Sequence, residues 1–266
     1  GMLLTLADKK SRFRQLAKQL KQVTPLLLLA FLPTLSFAQK AETEHLLKNT
    51  IPAEQAEHWG RMQIQCPTGR IEPVDTYTDK LLRKIYRSDT FEGLSSEQVI
   101  IGFLMNPSYW GNIPFIRQTN KELPQAYSRG LGDVYKRHAE RSRLEKDLLK
   151  LDEKINILYS LQQGKMFALF PLPGDTSGKW YSPGDDLSMY SGKDSLFVSK
   201  IMPWYLGEAF DALRIGTWES AGEVLSMMNV YQQKQSDTPL LTEKQVSWEL
   251  FYNKARLFFW SAMGYI

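Results

Sequence analysis

A short apolar segment near the N-terminus most constrains this chain, because it decides which residues can form a folded body. Residues 26 to 38, LLLLAFLPTLSFA, follow a basic run and end in the small residues Ser36 and Ala38. This order is typical of a secretory signal peptide. The segment is shorter than the roughly 20 residues of a membrane helix, and Pro33 disfavours a buried core helix. We therefore expect residues 1 to 38 to be a basic leader with a signal or anchor segment.

The basic charge of the chain is concentrated in this leader. Before Gln39 there are six basic residues and one acidic residue, whereas the whole chain has 33 basic and 29 acidic residues. The body is therefore close to neutral. A nucleic-acid-binding body carries its own basic surface, so we expect no nucleic-acid partner.

The sequence contains no recognisable catalytic or metal-binding motif. Cys66 is the single cysteine, which rules out an internal disulfide, and the three histidines have no short ligand spacing. No nucleophile elbow, phosphate-binding loop or dinucleotide motif occurs. No Cys-x-x-Cys-His occurs either, so the chain does not carry its own covalent haem. We predict no catalytic residue, no metal site, no bound cofactor and no enzymatic activity for this chain.

The body, residues 39 to 256, is predicted to be mainly α-helical. Capping patterns and apolar residues at helical spacing mark several helices, the longest covering about residues 131 to 163. Short extended segments and one long Gly/Pro-rich loop, residues 167 to 194, complete an irregular helical domain. Five apolar residues of the longest helix recur at steps of four and three: Leu144, Leu148, Leu151, Ile155 and Leu158. This pattern favours one side of an intramolecular helix pair over a coiled-coil dimer.

The stretch QCPTGRIEPVDTYTDKLLRKI, residues 65 to 85, predicts a turn, an extended arm and a helix. Pro67, Thr68 and Gly69 form the turn, and a proline at position 73 limits the arm to an edge strand. Asp75 or Thr76 is the expected cap of the helix, because Thr76 and Asp79 resemble a capping box.

The C-terminal residues 257 to 266, LFFWSAMGYI, are almost wholly apolar and rich in aromatic side chains. Aromatic residues concentrate where proteins meet a membrane surface. The segment is half the length of a membrane span. Two interpretations stay open from the residues alone: the last core helix of a soluble domain, or the start of a membrane helix that continues past Ile266.

Five segments together resemble a known family, in order along the chain from about Ile51 to Ile266. The first contains a Gly-Arg-x-x-Pro-x-x-Thr pattern, and the last contains a Glu-x-x-Tyr-Asn pattern. The segments are IQCPTGRIEPVDTYTDKLLRKI, SSEQVIIGFLMNPSYWGNIPFI, LFPLPGDTSGKWYSP, WESAGEVLSMMNVYQQKQ and VSWELFYNKARLFF. They are similar to the extracytoplasmic region of the ResB/CcsA-type (system II) cytochrome c biogenesis proteins of the Bacteroidetes type.

This resemblance implies a non-catalytic, periplasm-facing domain of an inner-membrane protein that attaches haem to apocytochrome c. The domain would support or present apocytochrome c to the membrane-embedded, haem-handling region of the same protein. Membrane attachment would run through the termini, with residues 257 to 266 as the start of a truncated membrane helix. The family's Trp-rich haem loop is absent from this chain, so no haem ligand is assigned here.

Four residues within or beside the matched segments are predicted to contact partners: Arg70, Trp110, Tyr252 and Asn253. Structural roles are the alternative for two of them, because Arg70 can pair with Glu72 or Asp75 and Trp110 can fill the core. Two other functions stay open. One is a self-contained exported helical binding or scaffold protein. The other is an exported enzyme that acts through Asp185 or Asp186 in the long loop.

Overall fold

The computed structural model describes residues 46, 48–113, 115–116 and 142–255. The chain divides into two units, Gly1–Leu47 and Lys48–Ile266, and the helices and strands given below belong to the second. The predicted leader and the predicted C-terminal membrane segment both lie outside the described residues. Within the described ranges, no helix has both the length and the apolar character that crossing a membrane requires.

The described part of the second unit is mainly α-helical with short strands, which confirms the predicted fold class. The helices are α1 (Ala53–Gly60), α2 (Val74–Tyr86), α3 (Ser96–Met105), α4 (Pro107–Trp110), α5 (Arg143–Gln162), α6 (Gly192–Ile215), α7 (Glu219–Gln235) and α8 (Glu243–Ala255). The strands are β1 (Gln63–Gln65), β2 (Ile71–Pro73), β3 (Thr90–Phe91), β4 (Leu94–Ser95), β5 (Phe170–Pro171) and β6 (Trp180–Tyr181). They form antiparallel pairs of β1 with β2, β3 with β4, and β5 with β6.

The hairpin of β1 and β2 leads directly into α2. Its turn closes where the Gly69 N–H donates to the Cys66 carbonyl at 2.8 Å, with Gly69 at a φ of +86° that favours glycine. The predicted cap at Asp75 or Thr76 is wrong, because α2 begins at Val74 after Pro73. The Val74 N–H instead donates to the Met62 carbonyl at 2.8 Å. The hairpin backbone satisfies this helix end, which leaves the Asp75 and Thr76 side chains available for other contacts.

The core around α2 and α3 is rich in aromatic side chains. Trp59 and Tyr77 both meet Phe167 edge to face, at ring-centroid distances of 5.2 and 5.8 Å. Helices α2 and α3 pack closely on each other, as do α6 and α7, which are joined across Gly216 in the left-handed conformation. Such a short connection brings consecutive helices side by side.

Helix α5 begins at Arg143, because Ser142 and Glu145 form a capping box. The earlier part of the predicted helix, residues 131 to 141, lies outside the described residues. Leu148 and Leu151 of the predicted apolar seam are buried, with Leu144 and Ile155 packed against them. Helix α5 contacts α2, where Lys84 pairs with Glu153 at 3.3 Å. The described part of this helix therefore packs against α2 of its own chain. The preference for an intramolecular helix pair over a dimer contact stays a prediction.

Candidate functional site

Two sequence patterns that are far apart in the chain meet where α8 packs on α2 and β2. Glu249 of α8 accepts a hydrogen bond from Arg70 at 2.6 Å and from the Thr76 hydroxyl at 3.2 Å. Asn253 donates its Nδ2 hydrogen to Thr76 Oγ1 at 2.9 Å. We call these four residues the motif junction. Arg70 and Thr76 belong to the Gly-Arg-x-x-Pro-x-x-Thr pattern, and Glu249 and Asn253 belong to the Glu-x-x-Tyr-Asn pattern.

Local backbone geometry explains why these four side chains converge. Gly69 and Pro73 fix the turn and the end of β2, which places Arg70 on the hairpin and Thr76 in the first turn of α2. Glu249 and Asn253 are four residues apart and so share one face of α8. The Glu249 side chain is 17% exposed, whereas that of Arg70 is 57% exposed. The α8 side of the junction is therefore mostly buried, while the Arg70 side chain keeps an exposed surface that a partner can reach.

The structure brings two of the four predicted contact residues, Arg70 and Asn253, into the junction. Tyr252 lies on an exposed part of the same helix and is 49% exposed. Two further aromatic residues of α8, Trp248 and Phe251, are also exposed and meet edge to face at 5.9 Å. Helix α8 thus presents a short aromatic surface formed by Trp248, Phe251 and Tyr252.

Trp110 lies in the core instead, with none of its surface exposed. Its ring packs edge to face on Phe115 at 5.7 Å and lies within 6.4 Å of Phe91. A Cβ atom at Gly102 would come within 2.6 Å of the indole Nε1, so only glycine leaves room for this ring. The structure therefore gives Trp110 the packing role that was the alternative for this residue.

The prediction missed Glu249, which accepts two of the three hydrogen bonds of the motif junction. Its pattern was recognised, but nothing in the sequence shows which position of the pattern faces Arg70. Glu72, a suggested partner of Arg70, lies at 3.9 Å from it and is closer to Lys80, at 2.5 Å. The other suggested partner, Asp75, belongs to a separate group of carboxyls.

Three carboxyl groups, those of Asp75, Asp79 and Glu97, lie beside the junction. Asp75 is 5% exposed, and burial together with a hydrogen bond shared with Glu97 raises its pKa to about 9. Burial also raises the pKa of Asp79, which accepts a hydrogen bond from Ser96 at 2.7 Å. Asp75 pairs with Lys254 of α8 at 3.9 Å. These groups line a cavity of about 310 Å³.

We expect Asp75→Asn to stabilise the protein at neutral and alkaline pH. Because the folded pKa is raised to about 9, the folded state holds a proton that the unfolded state releases above about pH 4. Stability therefore falls as pH rises between these two values. At pH 8 the variant should gain about 1 to 3 kcal/mol in free energy of unfolding, and at pH 4 close to nothing.

Urea unfolding followed by circular dichroism at both pH values measures this difference. Asp211→Asn is the matched control, because Asp211 is an exposed carboxyl on α6, and it should change stability equally little at both. An Asp75→Asn variant that loses stability at pH 8 would show that the Asp75 carboxylate is charged in the folded state.

The described residues hold no group of three or more histidine, cysteine, aspartate or glutamate side chains placed to bind a metal ion. Cys66 is buried, with its Sγ at 2.9 Å from the Thr68 hydroxyl. In the long loop, Asp185 and Asp186 accept hydrogen bonds from the N–H groups of Ser182 and Ser188, at 2.7 and 3.0 Å. Both loop carboxylates thus hold turns of the loop itself.

No family model matches the chain. The chain is similar to protein NrfI of Wolinella succinogenes, with 30% identity over an alignment of 288 positions. The alignment covers 97% of this chain but 32% of NrfI. The chain therefore spans about a third of the length of this curated relative.

Proposed function

We propose that this chain is the periplasm-facing, non-catalytic region of an inner-membrane cytochrome c maturation protein. The similarity to protein NrfI over nearly all of the chain supports a role in cytochrome c maturation. The resemblance of five ordered segments to the system II cytochrome c biogenesis proteins supports the same role. In this proposal haem stays with the membrane-embedded region of the full-length protein, and the chain supports or presents apocytochrome c.

The observation that carries the proposal is the motif junction. Two patterns, from the first and the last of the five resembling segments, are about 180 residues apart in the chain. Their side chains bond directly to each other: Arg70 to Glu249, and Thr76 to both Glu249 and Asn253. Random similarity in two short patterns gives no reason for such contact. A shared structural task explains the contact, because each pattern then supplies one side of the interface between α8 and the hairpin with α2.

The task that fits this geometry is to fix α8 on the body. Val246 and Leu250 bury one side of the helix, and the junction fixes its rotation through charged and polar bonds. The aromatic surface of α8 (Trp248, Phe251 and Tyr252) then faces away from the core. In the proposal this surface and the residues after it meet the membrane or the membrane-embedded region, where aromatic side chains are favoured.

Glu249→Ala should lower cytochrome c maturation at least about fivefold in cells that depend on this protein. The substitution removes the acceptor of Arg70 and of Thr76, and each lost charged hydrogen bond costs about 1 to 3 kcal/mol when buried and less when exposed. The expected result is a weakened attachment of α8 in a body that stays folded. Covalent haem in c-type cytochromes, stained by its peroxidase activity on denaturing gels, measures the effect, with protein abundance checked by immunoblot.

Cys66→Ser is the matched control, because Cys66 lies in the same hairpin but makes no junction bond. It should leave maturation unchanged. If deletion of the whole protein leaves covalent haem at its normal level, the maturation role is wrong, and a self-contained exported binding or scaffold protein becomes the better description. If Glu249→Ala matures cytochromes normally, the junction does not serve that role.

A further inference from the structure

A large cleft opens on a different part of the molecule from the motif junction. Its volume is about 1050 Å³, and it lies between α1, α7 and the link of residues 236–242 that joins α7 to α8. Both basic and acidic side chains line it, among them His58, Arg61, Glu219 and Glu223. Glu243 also lines it, so three carboxylates face one arginine and one histidine. The cleft is therefore not shaped for a polyanion such as nucleic acid.

One wall of the cleft is a stripe of small and amide side chains along α7. Gly222, Ser226, Asn229 and Gln233 follow one another at steps of four, three and four residues, so they share one face of the helix. Nothing lies within 4 Å of the place where a Cβ atom of Gly222 would be, which leaves the cleft open at that point. Gln55 of α1 contributes another amide from the opposite wall.

The polar groups of this cleft have bonding capacity that the described residues do not use. The amides of Gln55, Asn229 and Gln233 make no side-chain hydrogen bond to any described residue, and neither does the hydroxyl of Tyr205. Tyr205 is 3% exposed where it borders the cleft. Gln55 and Asn229 are half-buried and Gln233 is exposed, so these amides are accessible to a ligand in the cleft.

The same fold already shows what its glutamine side chains bind. Gln63 holds the main chain of Leu241 at both ends of its amide: Nε2 donates to the carbonyl at 2.8 Å, and Oε1 accepts from the N–H at 2.7 Å. Gln65 does the same for the Gly178 carbonyl and the Trp180 N–H, at 2.7 and 2.8 Å. A side-chain amide offers one acceptor and a donor, which is the complement of a peptide group.

We propose that the cleft binds an extended segment of another polypeptide through hydrogen bonds to its main chain. Asn229 and Gln233 on one wall and Gln55 on the other are the amides that would bind it, as Gln63 binds Leu241. The main-chain N–H and carbonyl of Leu240 in the link make no hydrogen bond within the described residues. They can therefore pair with the main chain of the bound segment. That the polypeptide is an unfolded segment of apocytochrome c rests on the function proposed above.

A blocking substitution tests the cleft without harming the fold. Gly222→Tyr places a large side chain in the open space, and replacing a helix-interior glycine favours helix formation by up to about 1 kcal/mol. Gly207→Tyr is the matched control, because Gly207 also lies inside a helix, α6, with nothing within 4 Å of its would-be Cβ atom. Gly207 does not line the cleft.

The probe is a fluorescein-labelled synthetic peptide that contains Cys-x-x-Cys-His under reducing conditions, together with a copy in which both cysteines are alanine. Fluorescence anisotropy measures its binding to the full chain in detergent. Both peptides should bind equally, since the main chain is what the amides contact. Gly222→Tyr and the double variant Asn229→Ala/Gln233→Ala should each weaken binding at least about tenfold, and Gly207→Tyr should not.

Each outcome decides a different claim. Peptide binding that survives Gly222→Tyr overturns the cleft as the site, although the presenting role can stand on another surface. Binding that requires the cysteines overturns main-chain recognition. If Gly222→Tyr abolishes peptide binding but leaves covalent haem in cytochromes unchanged, the cleft binds polypeptide and the maturation role assigned to it is wrong.

Discussion

Trp110→Ala should lower the free energy of unfolding by about 3 to 5 kcal/mol, the range for removing a fully buried tryptophan. Trp110 has no exposed surface and packs among Phe91, Phe115 and the backbone of Gly102. Its removal leaves a cavity that the neighbouring side chains fill only in part, and Gly102 has no side chain that could contribute. Urea unfolding followed by far-ultraviolet circular dichroism measures the loss.

Trp248→Ala is the matched control, because Trp248 is 62% exposed on α8. Substitutions on the surface usually change stability by less than about 0.5 kcal/mol. The pair of variants separates packing from partner binding: Trp110 should affect stability, and Trp248 should affect contacts made by α8. A Trp110→Ala variant of normal stability that loses function would return Trp110 to the partner-contact role predicted from the sequence.

Lys80→Met should lower the free energy of unfolding by about 2 to 3 kcal/mol, because it removes the closest cation from a buried carboxylate. Glu72 has no exposed side-chain surface, and its Oε2 lies 2.5 Å from Lys80 Nζ. Its other oxygen has no hydrogen-bond partner among the described residues. The cost stays below that of a fully buried pair, since Lys80 is half-exposed and Arg70 lies 3.9 Å from the same carboxylate.

A second substitution tests the cause. Adding Glu72→Gln to Lys80→Met should restore most of the lost stability, because a neutral amide needs no counter-ion. Lys84→Met is the control: Lys84 pairs with Glu153 at 3.3 Å, but both side chains are 60% exposed, and such pairs contribute less than about 1 kcal/mol. A double variant no more stable than Lys80→Met would show that the lysine stem, and not its charge, supports this region.

Much of the local structure of this protein follows from its sequence. The start of α3 is local in this sense, because the capping box of Ser95 and Gln98 needs only two residues three positions apart. The turn before Gly69 and the edge strand that ends at Pro73 are equally local, because glycine and proline restrict their own backbone. The start of α2 was misjudged because the hairpin, through the Met62 carbonyl, does the work that a side-chain cap would do.

The candidate site was only partly predictable. The sequence patterns located Arg70 and Asn253, but Glu249 became central only once α8 was seen against β2 and α2. The cluster of three carboxyls formed by Asp75, Asp79 and Glu97 was likewise visible only once α2 was seen packed on α3. Burial is the main cause of the raised pKa of Asp75. No sequence rule tells which of the many carboxylates will be buried.

The sequence by itself determined the helical class and the turns, since spacing and backbone preference act within a few residues. It also contained the five ordered segments that carry the family resemblance. Only the tertiary structure decided that Trp110 belongs to the core, that Arg70 pairs with Glu249, and that an open cleft lines one face of α7. These contacts join residues separated by up to about 180 positions. They depend on how the helices pack on one another. The energy of that packing is spread over many side chains, and no local sequence pattern specifies which of them meet.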